Sequence, residues 1–484
     1  MKSLVSRLAS LRVPIAAAGV GAGAVCLRLP EAFSSSFWQD EVASARVIQQ
    51  PTFGAMLHRV VQTESTPPLW YALAWAVHRA GVSIHDVRLL SVLFDGLIVA
   101  GVVAFTSLML RFPLAIAAGV VAAVTAQLSA HGRELRAYEL LALLAIAFAI
   151  SLDRAVRKRD SLHLALVAAT VAAGLLTHYF FAFTVAAALA WLCLEPAARA
   201  ARLPVLAAIG TGCCLAAPWT PWLLEQYRAD RYSWIGPFSA AVVSGTPLRL
   251  LTPVLASGPT ELLVLVWLGL AAVQAARAGA RERLVVALAL MPILLAAVAW
   301  MIGMRVYATR NLIAAAPFLV VVLLLPLARF RPRAGLAAMA AIVTIFIAAY
   351  GVDQLRPDVP YKGLAEALVS EGWHRSSAVA VADGPHALKS PLEWYLPGNP
   401  SFATGLRPPH GISQVLAVLG PRTPGRAAIR DAIDVEGWLV GKLAVGELRH
   451  PQRGLTLLAS RPRRHRSPAR AARFESIRAR LLGT

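Results

Sequence analysis

Phe37-Trp38-Gln39-Asp40-Glu41, followed later by Ser65-Thr66-Pro67-Pro68, is the part of the sequence that decides the fold. One apolar segment precedes these two motifs, and many apolar segments follow them. The adjacent acids therefore lie where the chain should leave a lipid bilayer. Charged side chains near a bilayer are costly and usually have a function there, so this stretch is the first candidate for a functional site.

The composition is that of a polytopic membrane protein. Of the 484 residues, 57% are hydrophobic and 15% are charged, and the mean hydropathy is +0.61. These values are too apolar for a soluble protein. The formal net charge is +21, but the basic residues fall mostly in short clusters between apolar runs. That pattern is typical of cytoplasmic loops rather than of a nucleic-acid-binding surface, so we expect no nucleic-acid partner.

The four cysteines lie in apolar runs and have no second Cys or His at a zinc-binding spacing; they are Cys26, Cys193, Cys213 and Cys214. We therefore predict packing roles for them rather than metal or disulfide sites. The N-terminal apolar run, 14–26, resembles a signal peptide, but no small-residue cleavage motif follows it. We expect this run to be an uncleaved first transmembrane helix.

Apolar runs long enough to cross a bilayer recur along the first 350 residues. At about 20 residues per span, the sequence predicts eleven transmembrane helices, near residues 12–31, 89–110, 113–130, 138–153, 161–177, 179–195, 203–221, 260–277, 284–303, 311–328 and 334–350. The run 161–195 must be two helices, because one helix of that length would extend roughly 50 Å and a hydrocarbon core is about 30 Å thick. We place the turn at Thr177-His178-Tyr179.

Positive charge alternates between the loops and predicts their orientation. The basic clusters expected on the cytoplasmic side contain Lys2, Arg7 and Arg12; Arg111; residues 154–159; Arg199 and Arg202; Arg277, Arg281 and Arg283; and Arg329, Arg331 and Arg333. The extracytoplasmic segments are then the first outer loop, 32–88, the turn 132–138, His178, the loop 226–260 and the turn 305–310. The chemically informative residues thus share the outer face of a protein of the cytoplasmic (inner) membrane.

The first outer loop is too polar after Phe53 to contain a second span. Its apolar and aromatic part, 69–76, favours a helix lying at the membrane interface. Proline suits the first turn of a helix, so Pro67-Pro68 should begin it. The side chains that we expect at headgroup depth are Trp70, Tyr71 and Trp75.

The composition changes after Tyr350, where proline, glycine and charged residues become as frequent as in soluble domains. We divide the chain into a transmembrane domain, 1–350, and a C-terminal domain, 351–484. The predicted fold class is therefore an α-helical polytopic membrane protein with a small C-terminal α/β extracytoplasmic domain.

Within the C-terminal domain, the run 378–382 precedes Asp383-Gly384 and predicts a short buried strand that ends in a turn. The flanking segments 363–370 and 390–395 are predicted to be helical. The arginine-rich end, 461–480, is either a disordered tail or a binding site for anionic lipid headgroups.

Several segments together resemble one family, the GT-C polytopic membrane glycosyltransferases. The motifs that carry the resemblance occur in this order: Phe37 to Glu41, Thr66-Pro67-Pro68-Leu69, Asp86-Val87-Arg88-Leu89-Leu90-Ser91, Phe94-Asp95-Gly96, Gly132-Arg133-Glu134-Leu135-Arg136-Ala137-Tyr138, Thr177-His178-Tyr179-Phe180 and Thr309-Arg310-Asn311-Leu312. They cover roughly residues 30 to 330 and are most similar to the bacterial PMT-like group, which is related to protein O-mannosyltransferases and aminoarabinose transferases. The sequence departs from this pattern at Thr66, where the family commonly has His or Lys, and at Asn311, where it commonly has Tyr.

The resemblance implies transfer of a sugar from a polyprenyl-phosphate donor to an extracytoplasmic glycan, lipid or protein acceptor. Attack by a hydroxyl on an anomeric carbon needs a base, and the departing phosphate needs stabilisation. Asp40 is the candidate base, and its alternative role is ordinary capping of the loop. Glu41 points elsewhere, so it binds a cation or caps a helix instead. Glu64 and Glu134 are alternative candidates for the acidic role, and Glu134 has the simpler alternative of pairing with a neighbouring arginine.

Arginine offers a rigid fork of donors for phosphate, and Arg136 and Arg310 are the best-placed candidates, with Tyr307 close to Arg310 in the sequence. The alternative for both is an ordinary interfacial arginine whose side chain snorkels to the headgroups. Arg88 begins a span and has a simple anchoring role as its alternative. His178 binds phosphate or sugar, or caps a helix. The tryptophans that would stack on a sugar, or form an interfacial belt, are Trp38, Trp219, Trp222 and Trp234.

Asp40 and Glu41 would hold a divalent cation such as Mg²⁺ or Mn²⁺ if one is bound, although no cluster has the ligand count of a strong site. No phosphate-binding glycine loop is present, which favours a lipid-linked donor over a nucleotide sugar. A transporter or flippase is an alternative, but its ionisable residues should lie mid-span in related halves. A non-catalytic protein that only binds or scaffolds is the third possibility.

Overall fold

The computed structural model describes residues 2–232 and 235–355, and further along the chain residues 361–362, 365–366, 377–381, 391, 394–396, 401–402, 414–419, 438–444 and 456–462. The chain forms two compact units. The first contains Met1–Phe33 and Ser44–Arg356, and the second contains Ser34–Ala43 and Pro357–Thr484.

The first unit is built from α-helices. The helices are α1 Lys2–Ser34, α2 Gln39–Ile48, α3 Phe53–Thr63, α4 Leu69–Arg79, α5 Leu89–Thr106, α6 Phe112–Ala123, α7 Ala126–His131, α8 Tyr138–Lys158, α9 Ser161–Thr177, α10 Phe181–Leu194, α11 Arg202–Ala216, α12 Thr220–Arg228, α13 Ala240–Leu251, α14 Gly258–Ala276, α15 Ala280–Met301, α16 Ala316–Leu324 and α17 Pro332–Gln354. The first residues of α2 belong to the second unit. Short 3-10 helices adjoin them at Asp86–Arg88, Pro196–Ala201, Ala217–Trp219, Pro253–Leu255, Thr309–Ala315 and Leu325–Arg329.

Seven helical stretches of the described chain are long and apolar enough to cross a membrane: Leu11–Ser34, Asp86–Thr106, Pro196–Arg228, Gly258–Ala276, Ala280–Met301, Thr309–Arg329 and Pro332–Gln354. Every predicted span overlaps a helix, and the break between α9 and α10 follows Thr177, as predicted. The helical polytopic fold is thus confirmed. The count of eleven spans stays a prediction, because the four predicted spans in α6, α8, α9 and α10 are not among these seven stretches, and α6, α9 and α10 have only 10–17 residues.

Two segments differ from the sequence-based expectation. The predicted span 113–130 is interrupted, because α6 ends at Ala123 and α7 begins at Ala126. At this break Thr125 is extended, and its hydroxyl donates to the carbonyl of Val121 at 2.8 Å, which satisfies an acceptor at the helix end. The predicted loop 226–260 is also wrong in part, because it contains α13, which Ser239 caps through the N–H of Val242.

Small residues and buried ion pairs join the helices of the first unit. A Cβ added to Gly21 of α1 would lie 2.5 Å from the carbonyl oxygen of Gly96 of α5, so only glycine permits this approach. Nearby, Arg28 Nε lies 3.1 Å from Asp95 Oδ2, and both side chains are buried. Arg28 also donates to the carbonyl of Ala123. Removing one partner of a buried ion pair costs about 3–5 kcal/mol, because the other charge is left uncompensated.

At the other end of the helices, arginines of α15 bind carboxylates of α8 and of the turn after α10. Arg281 binds both oxygens of Asp153 at 2.9 and 3.0 Å. Arg283 binds both oxygens of Glu195 at 2.7 and 3.0 Å. Bidentate pairs of this kind neutralise the two charges and also fix the relative position of the elements that carry them. These arginines belong to a cluster that we predict to be cytoplasmic, and their role there is structural.

The second unit contains a five-stranded sheet among its described residues. Its strands are β1 Ser377–Val381, β2 Ser401–Phe402, β3 Gln414–Leu419, β4 Trp438–Ala444 and β5 Thr456–Pro462. The order is β2-β1-β3-β5-β4, with β1 parallel to β2 and β3, and β5 antiparallel to β3 and β4. The strand that we predicted at 378–382 is present as β1, and the residues after Val381 that should form its turn lie outside the described residues.

Helical residues of the second unit pack against the segment 34–43. The N–H of Phe37 donates to the hydroxyl of Tyr395 at 2.7 Å, and the Phe37 ring lies 5.8 Å from that of Trp394. Trp394 and Tyr395 belong to the predicted helix 390–395. Most of the predicted helix 363–370, and the arginine-rich end beyond Pro462, lie outside the described residues. The division into domains at residue 350 stays a prediction.

Candidate active site

The interfacial helix begins where the double proline predicts, because Pro68 is the N-cap of α4. Two of its aromatic side chains, Trp70 and Tyr71, are each 1% exposed, so they pack inside the protein. Their depth in the membrane stays a prediction. Trp75 is half-buried and donates its indole N–H to the carbonyl of Gln50 at 2.9 Å. The helix therefore contributes an inner face to the site, which the hydropathy pattern alone did not show.

Tyr71 and Arg136 both contact Glu64, the C-cap residue of α3. The Tyr71 hydroxyl donates to Glu64 Oε2 at 2.6 Å, and Arg136 Nη1 lies 3.3 Å from the same oxygen. Arg136 also donates to Ser44 Oγ at 3.0 Å, and its guanidinium lies 5.6 Å from the centre of the Tyr138 ring. Burial, and secondarily the Glu64 carboxylate, raise the pKa of Tyr71 well above its usual value, so the phenol remains a donor.

His178 lies in the turn between α9 and α10 and is 1% exposed. Burial, followed by the fields of Arg136 and Arg310, lowers the pKa of His178 to about 3. The imidazole is therefore neutral at physiological pH. Its Nδ1 accepts the N–H of Phe180 at 3.2 Å, which leaves the proton on Nε2. His178 thus offers a neutral N–H donor within the electrostatic influence of two guanidinium groups, a combination that suits an anion.

The two adjacent acids of α2, Asp40 and Glu41, differ in burial and contacts. Glu41 is 1% exposed, and its Oε2 accepts the N–H of Trp38 at 3.2 Å. This is the reach of a third-position glutamate back to the N-cap residue, so Glu41 stabilises the start of the helix. Asp40 lies in the same first turn and is half-buried. Glu41 is therefore the acid of this pair that caps a helix.

Three other candidates have structural contacts. Glu134 Oε2 lies 2.7 Å from His131 Nδ1. Burial favours the neutral form of Glu134, but His131, Arg133 and Arg136 outweigh burial and hold its pKa below the usual value.

Arg88 is 1% exposed and donates to the carbonyl of Ala32 near the end of α1 at 3.2 Å. The Tyr307 hydroxyl donates to Thr246 Oγ1 at 2.8 Å, and its ring stacks on that of Trp300 at 4.9 Å. These contacts agree with the anchoring alternative for Arg88. The roles of Glu134, Arg88 and Tyr307 in binding substrate stay predictions.

Two of the candidate tryptophans, Trp219 and Trp222, lie side by side. Trp219 donates to the hydroxyl of Tyr179 at 2.9 Å, and its ring lies 4.9 Å from that of Trp222. Trp222 is 43% exposed, which fits the interfacial alternative. Trp38 is half-buried, and Trp234 lies outside the described residues.

A cavity of about 520 Å³ adjoins the loop between α3 and α4. It is lined by aromatic, polar and basic side chains, among them Ser65, Tyr179, Gln226, Tyr232 and Arg305. Its size lies within the range of small-molecule sites. Sequence reasoning missed Gln226 and Tyr232, because they lie near the end of α12 and in the turn after it, and no motif marks them.

No group of three or more His, Cys, Asp or Glu side chains that could hold a metal ion occurs among the described residues. Asp40 and Glu41 provide carboxylate oxygens of the kind that Mg²⁺ or Mn²⁺ prefers. Since Glu41 already accepts a backbone hydrogen bond, a cation at this pair would need most of its ligands from water or substrate. A divalent cofactor stays a prediction.

Comparison with known proteins places this geometry in a known fold. Residues 65–222, which are less than half of the chain, match the sequence model of the dolichyl-phosphate-mannose-protein mannosyltransferase family. No curated protein matches the sequence.

Two solved structures of ArnT from Cupriavidus metallidurans are similar over most of the chain. The structure in the apo state has a TM-score of 0.59 at 10% identity and covers 91% of this chain and 97% of its own. The structure bound to undecaprenyl phosphate has a TM-score of 0.57 at 11% identity and covers 93% of this chain and 97% of its own. The chain is thus a multi-pass membrane protein with the fold of the GT-C superfamily.

Proposed function

We propose that the chain is a glycosyltransferase that moves a sugar from a polyprenyl-phosphate donor to a glycan, lipid or protein acceptor. The reaction would take place on the extracytoplasmic face of the cytoplasmic membrane. The observation that carries the proposal is the buried group formed by Glu64, Tyr71 and Arg136, with the buried, neutral His178 within the electrostatic influence of Arg136 and Arg310. Arginine offers a rigid fork of donors for phosphate oxygens, and a lipid-linked phosphate is an anion that a membrane enzyme meets.

In the proposed reaction, the acceptor oxygen attacks the anomeric carbon while the bond from that carbon to the phosphate oxygen breaks. Asp40 takes the proton of the acceptor hydroxyl as general base. The electron pair of the broken bond goes to the phosphate, and polyprenyl phosphate leaves. Arg136, Arg310 and the Nε2–H of His178 stabilise the negative charge that develops on this leaving group.

Glu64 has a second task in this scheme. Its Oε2 binds Tyr71 and Arg136, whereas its buried Oε1 has no hydrogen-bond partner among the described residues. A buried acceptor without a partner costs about 1–3 kcal/mol. We propose that a hydroxyl of the donor sugar donates to Oε1 and removes this cost. The neighbouring cavity, which Ser65 lines, is large enough for a sugar.

Two findings support a lipid-phosphate donor in particular. A protein with the same fold has been solved with undecaprenyl phosphate bound. The family whose model matches residues 65–222 is named for a dolichyl-phosphate sugar. The departures at Thr66 and Asn311 leave the sugar and the acceptor undefined.

The test uses the purified full-length protein in lipid nanodiscs with a panel of synthetic undecaprenyl-phosphate hexoses and pentoses. A cell-envelope extract supplies acceptors, and mass spectrometry follows release of undecaprenyl phosphate and gain of a sugar by the extract. We expect release with at least one donor. A protein that moves these lipids across proteoliposome membranes without breaking the sugar–phosphate bond would be a flippase, and one that only binds them would be a scaffold.

A further inference from the structure

The turn after α12 holds the loop between α3 and α4 through one arginine. Arg231 Nη2 donates to the carbonyls of Val61 and Gln62 at 2.9 and 2.5 Å, and Nη1 donates to the carbonyl of Glu64. The carbonyls in the last turn of a helix have no partners within the helix. A guanidinium there satisfies them and interacts favourably with the negative end of the α3 dipole.

Two further side chains of the same segment also bind backbone carbonyls in and beside this loop. The Gln226 amide donates to the carbonyls of Val60 and Thr66 at 3.1 and 3.2 Å, and Gln226 is buried. The Tyr232 hydroxyl donates to the carbonyl of Ser65 at 2.9 Å. We call Gln226, Arg231 and Tyr232 the clasp, and residues 64–66 the Glu64 loop.

The Glu64 loop has few ways to hold itself in place. The two prolines that follow it have no N–H to donate, so they cannot supply backbone hydrogen bonds to its carbonyls. The donors come instead from the clasp, which is about 160–170 residues away in sequence. Charge-assisted hydrogen bonds such as those of Arg231 are about twice as strong as neutral ones. Arg231 is therefore the strongest member of the clasp.

We infer that Arg231 is a positioning residue, which holds the Glu64 loop so that the Glu64 carboxylate stays on Arg136. The inference rests on the proposed function, because it assigns Arg231 a part in organising the phosphate site. Arg231 acts through the backbone of Glu64, and Glu64 Oε2 lies 3.3 Å from Arg136 Nη1. Releasing the loop lets the carboxylate, and with it the guanidinium, leave the geometry in which the donor phosphate is bound.

The first test measures the clasp without any substrate. Hydrogen–deuterium exchange of the amides of Glu64, Ser65 and Thr66 is compared between the wild-type protein, Arg231→Met and Arg231→Lys. We expect exchange about tenfold faster in Arg231→Met, since a hydrogen bond to a charged group contributes about 1.5–3 kcal/mol. Arg231→Lys should be intermediate, because one ammonium cannot reach all three carbonyls at once. The control is Arg79→Met, which removes an exposed arginine on α4; unchanged exchange in Arg231→Met would overturn the inference.

The second test asks whether Arg231 acts through Glu64. Arg231→Met is introduced into the wild-type protein and into Glu64→Gln, and kcat at saturating undecaprenyl-phosphate sugar is measured for the folded fraction of each. We expect a loss of about tenfold in the wild-type background and less than about threefold in Glu64→Gln, since residues that act as a unit are not additive. Equal losses in both backgrounds would refute the positioning role. If the wild-type protein transfers no sugar at all, the proposed function fails, and the exchange rates still decide whether the clasp exists.

Discussion

Replacing Arg136 by Met separates the two tasks of this arginine, which are to neutralise Glu64 and to bind phosphate. The guanidinium lies 3.0 Å from Ser44 Oγ and 3.3 Å from Glu64 Oε2, and Glu64 is 5% exposed. Removing one partner of a buried ion pair costs about 3–5 kcal/mol, because the remaining charge is left uncompensated. Tyr71 continues to donate to the carboxylate at 2.6 Å, so we expect a loss of about 3 kcal/mol, at the lower end of that range.

The assay compares thermal unfolding in detergent with sugar transfer. Arg136→Met should unfold at a lower temperature than the wild-type protein. The double variant Arg136→Met/Glu64→Gln removes both charges and should recover most of the lost stability. Its transfer activity should stay about 10²-fold below wild type, since one lost donor to a developing anion costs that much.

Either of two results would refute this reasoning. Recovery of transfer in the double variant would mean that Arg136 serves Glu64 and not the phosphate. An unchanged unfolding temperature in Arg136→Met would mean that the ion pair does not stabilise the fold.

Two further predictions concern the buried charges. Because the pKa of His178 is lowered to about 3 in the folded protein, the unfolded chain binds the extra proton first as the pH falls. The stability that His178 contributes is complete above about pH 6.5 and is lost towards pH 3, with about 2 kcal/mol lost by pH 5. Thermal unfolding between pH 7 and 5 should show this loss in the wild-type protein and a smaller loss in His178→Gln. Equal pH dependence of the two proteins would contradict the lowered pKa of His178. Arg28→Met should destabilise the protein by about 3–5 kcal/mol because the buried Asp95 loses its compensating charge and must stay unpaired or take up a proton, whereas Arg28→Met/Asp95→Leu should unfold near the wild-type temperature.

Features that depend on nearby residues were predictable from the sequence. The break after Thr177 follows from helix length, and the start of α4 after Pro68 follows from the conformational limits of proline. Arg136 was a candidate because it precedes a predicted span and arginine suits phosphate, and Glu64 was a candidate because it is a carboxylate in the first outer loop. That they bind each other was not predictable, since a single sequence does not show which distant side chains meet.

The structure differs from the sequence-based expectation where apolar residues that pack inside the protein have the same composition as residues that face lipid. Trp70 and Tyr71 have the composition of an interfacial belt, but helix packing rather than hydropathy decides which face turns inward. The interruption at Thr125 lies within a continuous apolar run, so a hydropathy window passes over it. The clasp could not be predicted from the sequence. Arg231 and Tyr232 bind backbone carbonyls, which every residue has, so the side chains of residues 60–66 do not indicate those contacts.

The measurement that tests the central claim most directly is release of undecaprenyl phosphate from its sugar-linked form by the wild-type protein and by Asp40→Asn. Asp86→Asn is the matched control, because it makes the same change in the same outer loop, where Asp86 accepts a hydrogen bond from Ser83 at 2.7 Å. We predict transfer by the wild-type protein and by Asp86→Asn, and at least about 100-fold less by Asp40→Asn with an unchanged unfolding temperature. Full activity in Asp40→Asn would remove Asp40 from the mechanism, and no release from any donor by the wild-type protein would contradict the proposed function.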